Sequence, residues 1–216
     1  MTPELVLFDC DGVLVDSERL TVAVEARVLT MLGWAIEPDE VVRRWMGRSS
    51  AAQIAEVAER LGPEAAREYD EVSSAEVHAA FESELTEVEG VGRLVDRLAE
   101  AGVPHCVASS GTHDRMQRTL GLTGLWPRFH GRIFSATEVA RGKPAPDLFL
   151  HAADRMGADP ARCVVLEDSP YGVEAGVSAG MRVLGYGSGL VAPDVLAGAG
   201  AEVFGHMSEV PALLGL

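Results

Sequence analysis

Four short segments carry residue types that chemistry uses: Asp9-Cys10-Asp11-Gly12, Ser109-Ser110-Gly111-Thr112, Gly142-Lys143-Pro144 and Glu167-Asp168-Ser169. A carboxylate can attack phosphorus and form an acyl phosphate, which divides one hard hydrolysis into two easier steps. Asp9, the first residue beyond the apolar run Leu5-Val6-Leu7-Phe8, is the candidate nucleophile. Asp11, two residues on, can protonate a leaving alcohol and then deprotonate the attacking water, while Gly12 leaves the backbone free to turn. Glu167 and Asp168, with Asp9 and Asp11, offer hard oxygen ligands, and Mg²⁺ suits such a set because it accepts few protein ligands. Lys143 brings a fixed positive charge, and Ser109, Ser110 and Gly111 can cradle a phosphoryl group with hydroxyls and backbone amides. The chemistry these residues fit together is phosphoryl transfer.

Taken singly, each segment also has a plain structural reading. Asp and Gly are common in strand-end turns, Ser109-Ser110-Gly111 and Glu167-Asp168-Ser169 can cap helices, and Gly142-Lys143-Pro144 can be an exposed loop. What favours the chemical reading is where they fall. Strands are expected at 5–8, 105–108, 132–134, 163–166, 182–185 and 201–204, and the four segments lie at or just after strand ends. Between the strands, helical patterns occupy 91–101, 115–120, 146–156 and 173–179; in the third, Phe149, Ala152, Ala153 and Met156 share a face. Strands alternating with helices predict a parallel sheet covered on both faces, and ligands of such sheets bind beyond the carboxyl ends of the strands.

Residues from Ser17 to about Leu85 have a different texture. The stretch is helical in pattern, with breaks at Gly33, Gly47 and Gly62, a capping residue at Ser17, and Pro38 and Pro63 placed for helix first turns. The expected architecture is therefore an α/β core, residues 1–14 and 87–216, interrupted after its first strand by an all-helical insertion, residues 15–86.

Composition narrows the partners. A net charge of −15 argues against nucleic acid and anionic membrane surfaces, since both reward basic patches. For an anionic phosphate ester the same charge must be overcome locally, by a metal ion and a few aimed cations or amides. No run approaches the roughly 20 apolar residues that cross a bilayer, and the start, Met1-Thr2-Pro3-Glu4, shows no secretory signal pattern. Cys10, Cys106 and Cys163 each lie in or beside an apolar run, which predicts reduced core thiols in a cytoplasmic protein.

The four segments resemble the signature motifs of the haloacid dehalogenase superfamily, and the chain resembles its phosphatases. Phe8-Asp9-Cys10-Asp11-Gly12-Val13-Leu14-Val15-Asp16-Ser17-Glu18 is similar to the first motif. Ser109 stands at the second, Lys143 in Gly142-Lys143-Pro144-Ala145-Pro146-Asp147 at the third, and Glu167-Asp168-Ser169 with Gly172-Val173-Glu174-Ala175 at the fourth. The resemblance implies a Rossmann-like core with a small helical cap. It also implies Asp9 as nucleophile, Asp11 as acid and base, Mg²⁺ held by Asp9, the Asp11 carbonyl and Asp168, and Lys143 and Ser109 on the phosphoryl group. Phe81-Glu82-Ser83-Glu84-Leu85, Met116-Gln117-Arg118 and Phe149-Leu150-His151-Ala152-Ala153 resemble bacterial 6-phosphogluconate phosphatases within the β-phosphoglucomutase-like group. A small phosphorylated metabolite, such as a sugar or sugar-acid phosphate, is the implied substrate.

Substrate choice is expected to come from the cap closing over the site, with Trp45-Met46-Gly47-Arg48-Ser49-Ser50 as contact loop and Arg48 meeting a second anionic group. His78, His105, His151 and His206 lack ligand spacing, whereas His113, just past the second motif, suits a site rim. Three rival readings stand against a phosphatase. A sugar-phosphate mutase usually carries a His early in the first cap helix, where this chain has Glu18-Arg19-Leu20-Thr21. A dehalogenase needs no metal and typically lacks the second carboxylate, here Asp11. A non-catalytic binding protein on the same fold would be expected to have lost a site residue.

Overall fold

The computed structural model describes residues 2–46 and 50–216, so the expected contact residue Arg48 lies outside the described residues. Among the described residues β1 (Leu5–Phe8), β2 (His105–Ser109), β3 (Ile133–Ser135), β4 (Cys163–Glu167), β5 (Arg182–Tyr186) and β6 (Glu202–Phe204) form one six-stranded sheet. All pairings are parallel, in the order β3-β2-β1-β4-β5-β6. Leu5, Val6, Leu7 and Phe8 are fully buried, as an apolar strand covered on both faces must be. The chain begins in the middle, builds outward through β2 and β3, then returns to β4 on the other side of β1. That reversal opens a crevice at the carboxyl ends of β1 and β4, the place where open parallel sheets bind ligands. Register sets Phe8 against Leu166, so Asp9 and Glu167 are next in line on neighbouring strands.

The chain divides into two compact units, Met1–Asp16 with Thr86–Leu216, and Ser17–Leu85. The junctions fall after Asp16 and before Thr86, against 14 and 87 in the sequence reading. The shift has a backbone cause: Asp16 N donates to Thr86 O and Val88 N to Leu14 O, each at 3.0 Å, which ties the two crossing segments together.

The second unit consists of α1 (Ser17–Met31), α2 (Pro38–Trp45), α3 (Ser50–Leu61) and α4 (Pro63–Glu84). Pro38 and Pro63 occupy the first turns of α2 and α4, where a missing N–H does no harm. Its core gathers Val22, Ala26, Leu29, Val57 and Ala66 around Trp34 and Trp45, whose rings meet edge-on at 5.4 Å. A polar link is buried with them: Gln53 Nε2 donates to Glu25 Oε2 at 2.9 Å and to Tyr69 Oη at 2.6 Å.

In the first unit the helices are α5 (Val91–Glu100), α6 (His113–Leu122), α7 (Trp126–Phe129), α8 (Asp147–Met156), α9 (Pro170–Ser178), α10 (Pro193–Ala199) and α11 (Val210–Leu214). α8 packs on β1, β2 and β3 through fully buried Phe149, Ala152 and Ala153, three of the four residues expected on that face. α9 packs on β4 and β5. α6 begins earlier than its apolar pattern predicts, because the Thr112 hydroxyl accepts from Arg115 N and caps it.

Candidate active site

The crevice between β1 and β4 is built by one tight loop and one helix start. Beyond β1, Leu14 N and Val15 N both donate to Cys10 O, and Gly12 N donates to Val15 O at 2.8 Å. Gly12 has φ +79°, and a Cβ there would lie 1.9 Å from Asp168 Oδ2. Only glycine lets the loop carrying Asp9 and Asp11 turn this way and take the Asp168 carboxylate against its backbone.

Beyond β4, Ser169 caps α9, its hydroxyl accepting from Gly172 N at 3.1 Å. Glu167 Oε2 accepts from Asp168 N, Ser169 N and Ser169 Oγ at 2.9, 2.9 and 3.0 Å. A Cβ on Gly172 would lie 1.8 Å from Glu167 Oε1, so this glycine makes room for the carboxylate.

Lys143 joins the two sides. Its Nζ donates to Asp9 Oδ1 at 2.6 Å and to Glu167 Oε1 at 2.5 Å, and the side chain is 4% exposed. The ammonium also lies over the Phe149 ring, 4.8 Å from its centroid. Burial opposes the Lys143 charge, but the Asp9 and Glu167 carboxylates more than offset it and raise its pKa. Asp9 is pushed up to about 7, chiefly by burial; Lys143 pulls it down, while Glu167 and Asp11 push it up. One ammonium shared by two carboxylates leaves buried negative charge, so a charged Lys143 and a raised Asp9 describe the same cluster.

The sequence reading placed Glu167 among the metal ligands. In the structure both its oxygens have other partners, three donors at Oε2 and Lys143 at Oε1, and the carboxylate anchors Lys143. Ser109 is buried at the end of β2, with Gly111 N donating to its Oγ at 3.2 Å. Ser110 is exposed. Asp11 faces Arg115 of α6, which donates to both its oxygens, Nη2 to Oδ1 at 2.9 Å and Nε to Oδ2 at 3.2 Å. Sequence reasoning missed Arg115, because a cation on a polar helix face reads as solvated.

A second group, of which the sequence pointed only to His113, braces the Ser109 loop. Ser135 Oγ donates to Gly111 O at 2.7 Å, and Glu138 Oε1 accepts from Ser135 N at 2.7 Å. The two Glu138 oxygens also meet His113 Nε2 at 2.9 Å and His151 Nε2 at 3.2 Å. Burial works to raise the Glu138 carboxyl, but the Ser135 amide and the two imidazoles outweigh it and hold it below its ordinary 4.5. A carboxyl depressed by folding stabilises the fold above its unfolded value and loses that contribution as pH falls. Glu138→Gln is therefore expected to lower the thermal midpoint at neutral pH, with the gap from the parent closing below about 4.5. A gap that stays constant across that range would assign Glu138 no charge-dependent role.

Among the described residues no group of three or more His, Cys, Asp and Glu side chains is gathered closely enough to hold a metal ion. Nor is any helix of the described residues long and apolar enough to cross a membrane.

Comparison with known proteins places the chain in a family. A family model described as haloacid dehalogenase-like hydrolase matches residues 3–180. The 6-phosphogluconate phosphatase of Escherichia coli (strain K12) is 33% identical over 216 residues, covering 97% of this chain and 94% of the relative. A solved haloacid dehalogenase-like protein from Agrobacterium tumefaciens superposes with TM-score 0.87 at 34% identity, over 98% of this chain and 97% of the other. A family hydrolase from Deinococcus radiodurans R1, solved with bound phosphate and sodium, superposes with TM-score 0.83 at 31% identity, over 99% and 96%.

Proposed function

The chain belongs to the haloacid dehalogenase-like hydrolases and is a phosphatase, and we infer that it cleaves a sugar or sugar-acid phosphate through an aspartyl-phosphate on Asp9. The observation that carries this reading is Lys143 Nζ bridging Asp9 at 2.6 Å and Glu167 at 2.5 Å. That contact fixes the rotation of the Asp9 carboxylate at the switch point of the sheet. Asp9 attacks phosphorus, and the leaving alkoxide takes a proton from Asp11. Asp11, now a carboxylate, takes a proton from water; the water oxygen attacks phosphorus, and the Asp9–phosphorus bond breaks. Lys143 balances charge on the phosphoryl oxygens, and the Ser109 hydroxyl and nearby amides hold them.

The donor set suits Mg²⁺. Asp9 and Glu167 face Lys143, Asp11 faces Arg115, and the Asp168 carboxylate lies against the Gly12 backbone, which gathers hard oxygens and surplus negative charge in a largely buried crevice. With Glu167 engaged elsewhere, Asp9, Asp168 and the Asp11 carbonyl would hold the ion, and a cation that keeps several waters needs no closed cage of side chains. Bound there, it would supply positive charge that favours ionised Asp9 and neutralises the phosphoryl oxygens.

Sugar-acid phosphates are favoured by the likeness to 6-phosphogluconate phosphatase across nearly the whole chain. The start of α1, Ser17-Glu18-Arg19-Leu20-Thr21, has no His, which favours hydrolysis over phosphoryl return to a sugar. Substrate choice is assigned to the helical unit and to Arg48. Buried free Cys10, Cys106 and Cys163 support a reducing, cytoplasmic setting. The test is phosphate release from sugar, sugar-acid, polyol, glycolate and nucleotide monophosphates. The expected result is Mg²⁺-dependent hydrolysis, abolished by EDTA, with 6-phosphogluconate among the best substrates by kcat/KM. Full activity in excess EDTA would sink the metal assignment, and a preference for nucleotides would sink the substrate class.

A further inference from the structure

We propose that Arg115 is a positioning residue that holds the Asp11 carboxylate as the base for hydrolysis of the aspartyl-phosphate. This rests on the role given to Asp11 above. The two residues are 104 positions apart in sequence, one on the loop after β1 and the other in the first turns of α6. Their contact uses two guanidinium nitrogens and both carboxylate oxygens, at 2.9 and 3.2 Å. A two-pronged contact of this kind fixes the plane of the carboxylate as well as its place. The Asp11 side chain is 16% exposed and the Arg115 side chain 34%, so the pair is partly shielded from water.

Arg115 is itself fixed. Its backbone N donates to the Thr112 cap at 3.3 Å, and its carbonyl accepts from Thr119 Oγ1 at 3.1 Å. Its Cδ lies 3.5 Å from where a Cβ on Gly111 would stand, so the arm runs along the loop that follows Ser109. One residue thus ties the loop bearing Asp9 and Asp11 to the loop bearing Ser109.

The two chemical steps use Asp11 in opposite forms. It gives up a proton to the leaving alkoxide in the first and accepts one from water in the second. A guanidinium fork bonded to both oxygens matches the carboxylate, the form in which Asp11 takes a proton from water. Arg115 therefore serves the second step, and its loss should leave formation of the aspartyl-phosphate intact while slowing its breakdown.

The experiment is a cycle of Arg115→Met, Asp11→Asn and the double variant, assayed on p-nitrophenyl phosphate with rapid mixing. For Arg115→Met the expected loss in kcat is about ten-fold or more, a part of the roughly 10²–10⁴-fold that positioned proton transfer supplies. kcat/KM, which reports steps through phosphorylation, should hold, so KM falls with kcat and a burst of nitrophenol appears. In the Asp11→Asn background, removing Arg115 should change kcat by less than about two-fold, because the residue acts through Asp11. Arg115→Lys, which keeps the charge but not the fork, should fall between parent and Met and covers the case in which Met fails to fold. A parallel drop of kcat and kcat/KM, no change in either, or the same loss with and without Asp11 would overturn the proposal. If Asp11→Asn alone leaves turnover unchanged, the role of Asp11 fails first and this inference with it.

Discussion

Asp9→Asn is expected to fold normally and to lose turnover by on the order of 10⁴-fold or more, the scale set by removal of a nucleophile. Asparagine keeps the shape of the side chain but removes the attacking charge, and its amide can still accept from Lys143. Stability should move the other way. The folded protein holds a proton on Asp9 up to about 7, against the ordinary 3.8, so it binds more protons than the unfolded chain between those values. Stability therefore declines as pH rises through that window, and the Asn variant has no such decline. Without metal, its thermal midpoint should match the parent near the acid end and exceed it at neutral pH. Substantial turnover in this variant would remove Asp9 from the mechanism, and a midpoint that falls further below the parent as pH rises would contradict the account of its burial.

Lys143→Met should be less damaging to activity and more damaging to the fold. It leaves Asp9 and Glu167, both buried, without the ammonium that lies 2.6 and 2.5 Å from them. Removing one partner of a buried ion pair typically costs about 3–5 kcal/mol. Loss of a preorganised charge on the phosphoryl group costs roughly 10²–10³ in kcat. The two effects separate in Lys143→Met with Glu167→Gln. Neutralising Glu167 relieves part of the buried repulsion and should recover some of the urea midpoint, while kcat stays low. Lys143→Arg should rescue poorly, because a planar fork cannot replace a compact ammonium packed over Phe149. A stable, active Lys143→Met would show that the cation is an ornament of the loop.

The sheet was legible because its strands are short apolar runs with little helical pattern, and each observed strand lies within one residue of its expected ends. The nearness of Asp9 and Glu167 was legible for the same reason: once strands are placed, residues at the carboxyl ends of neighbours must meet, whereas Lys143 arrives by the loop between β3 and α8. What escaped was the direction in which side chains point. Glu167 looks in sequence like one more acidic ligand, and only its amide partners and Lys143 reveal an anchor. Arg115 sits among Asp114, Gln117 and Arg118 and reads as solvated until the fold brings Asp11 to it. His113 was marked by its place just past the second motif, but its partners Glu138 and His151 come from two other segments, so no spacing could announce them. The short α7, α10 and α11 span too few turns to show a period, and tertiary packing decides them. At α7 it seats Phe129 against Phe8, with ring centroids 5.8 Å apart.

The most direct measurement is acid quenching during turnover, followed by mass spectrometry of the peptide that carries Asp9 and Asp11. The mechanism predicts a phosphoryl group on Asp9, labile to hydroxylamine, that increases in Arg115→Met and is absent from Asp9→Asn. Turnover with no such adduct under conditions where Arg115→Met shows a burst, or a phosphoryl group found on Ser109 instead, would contradict it.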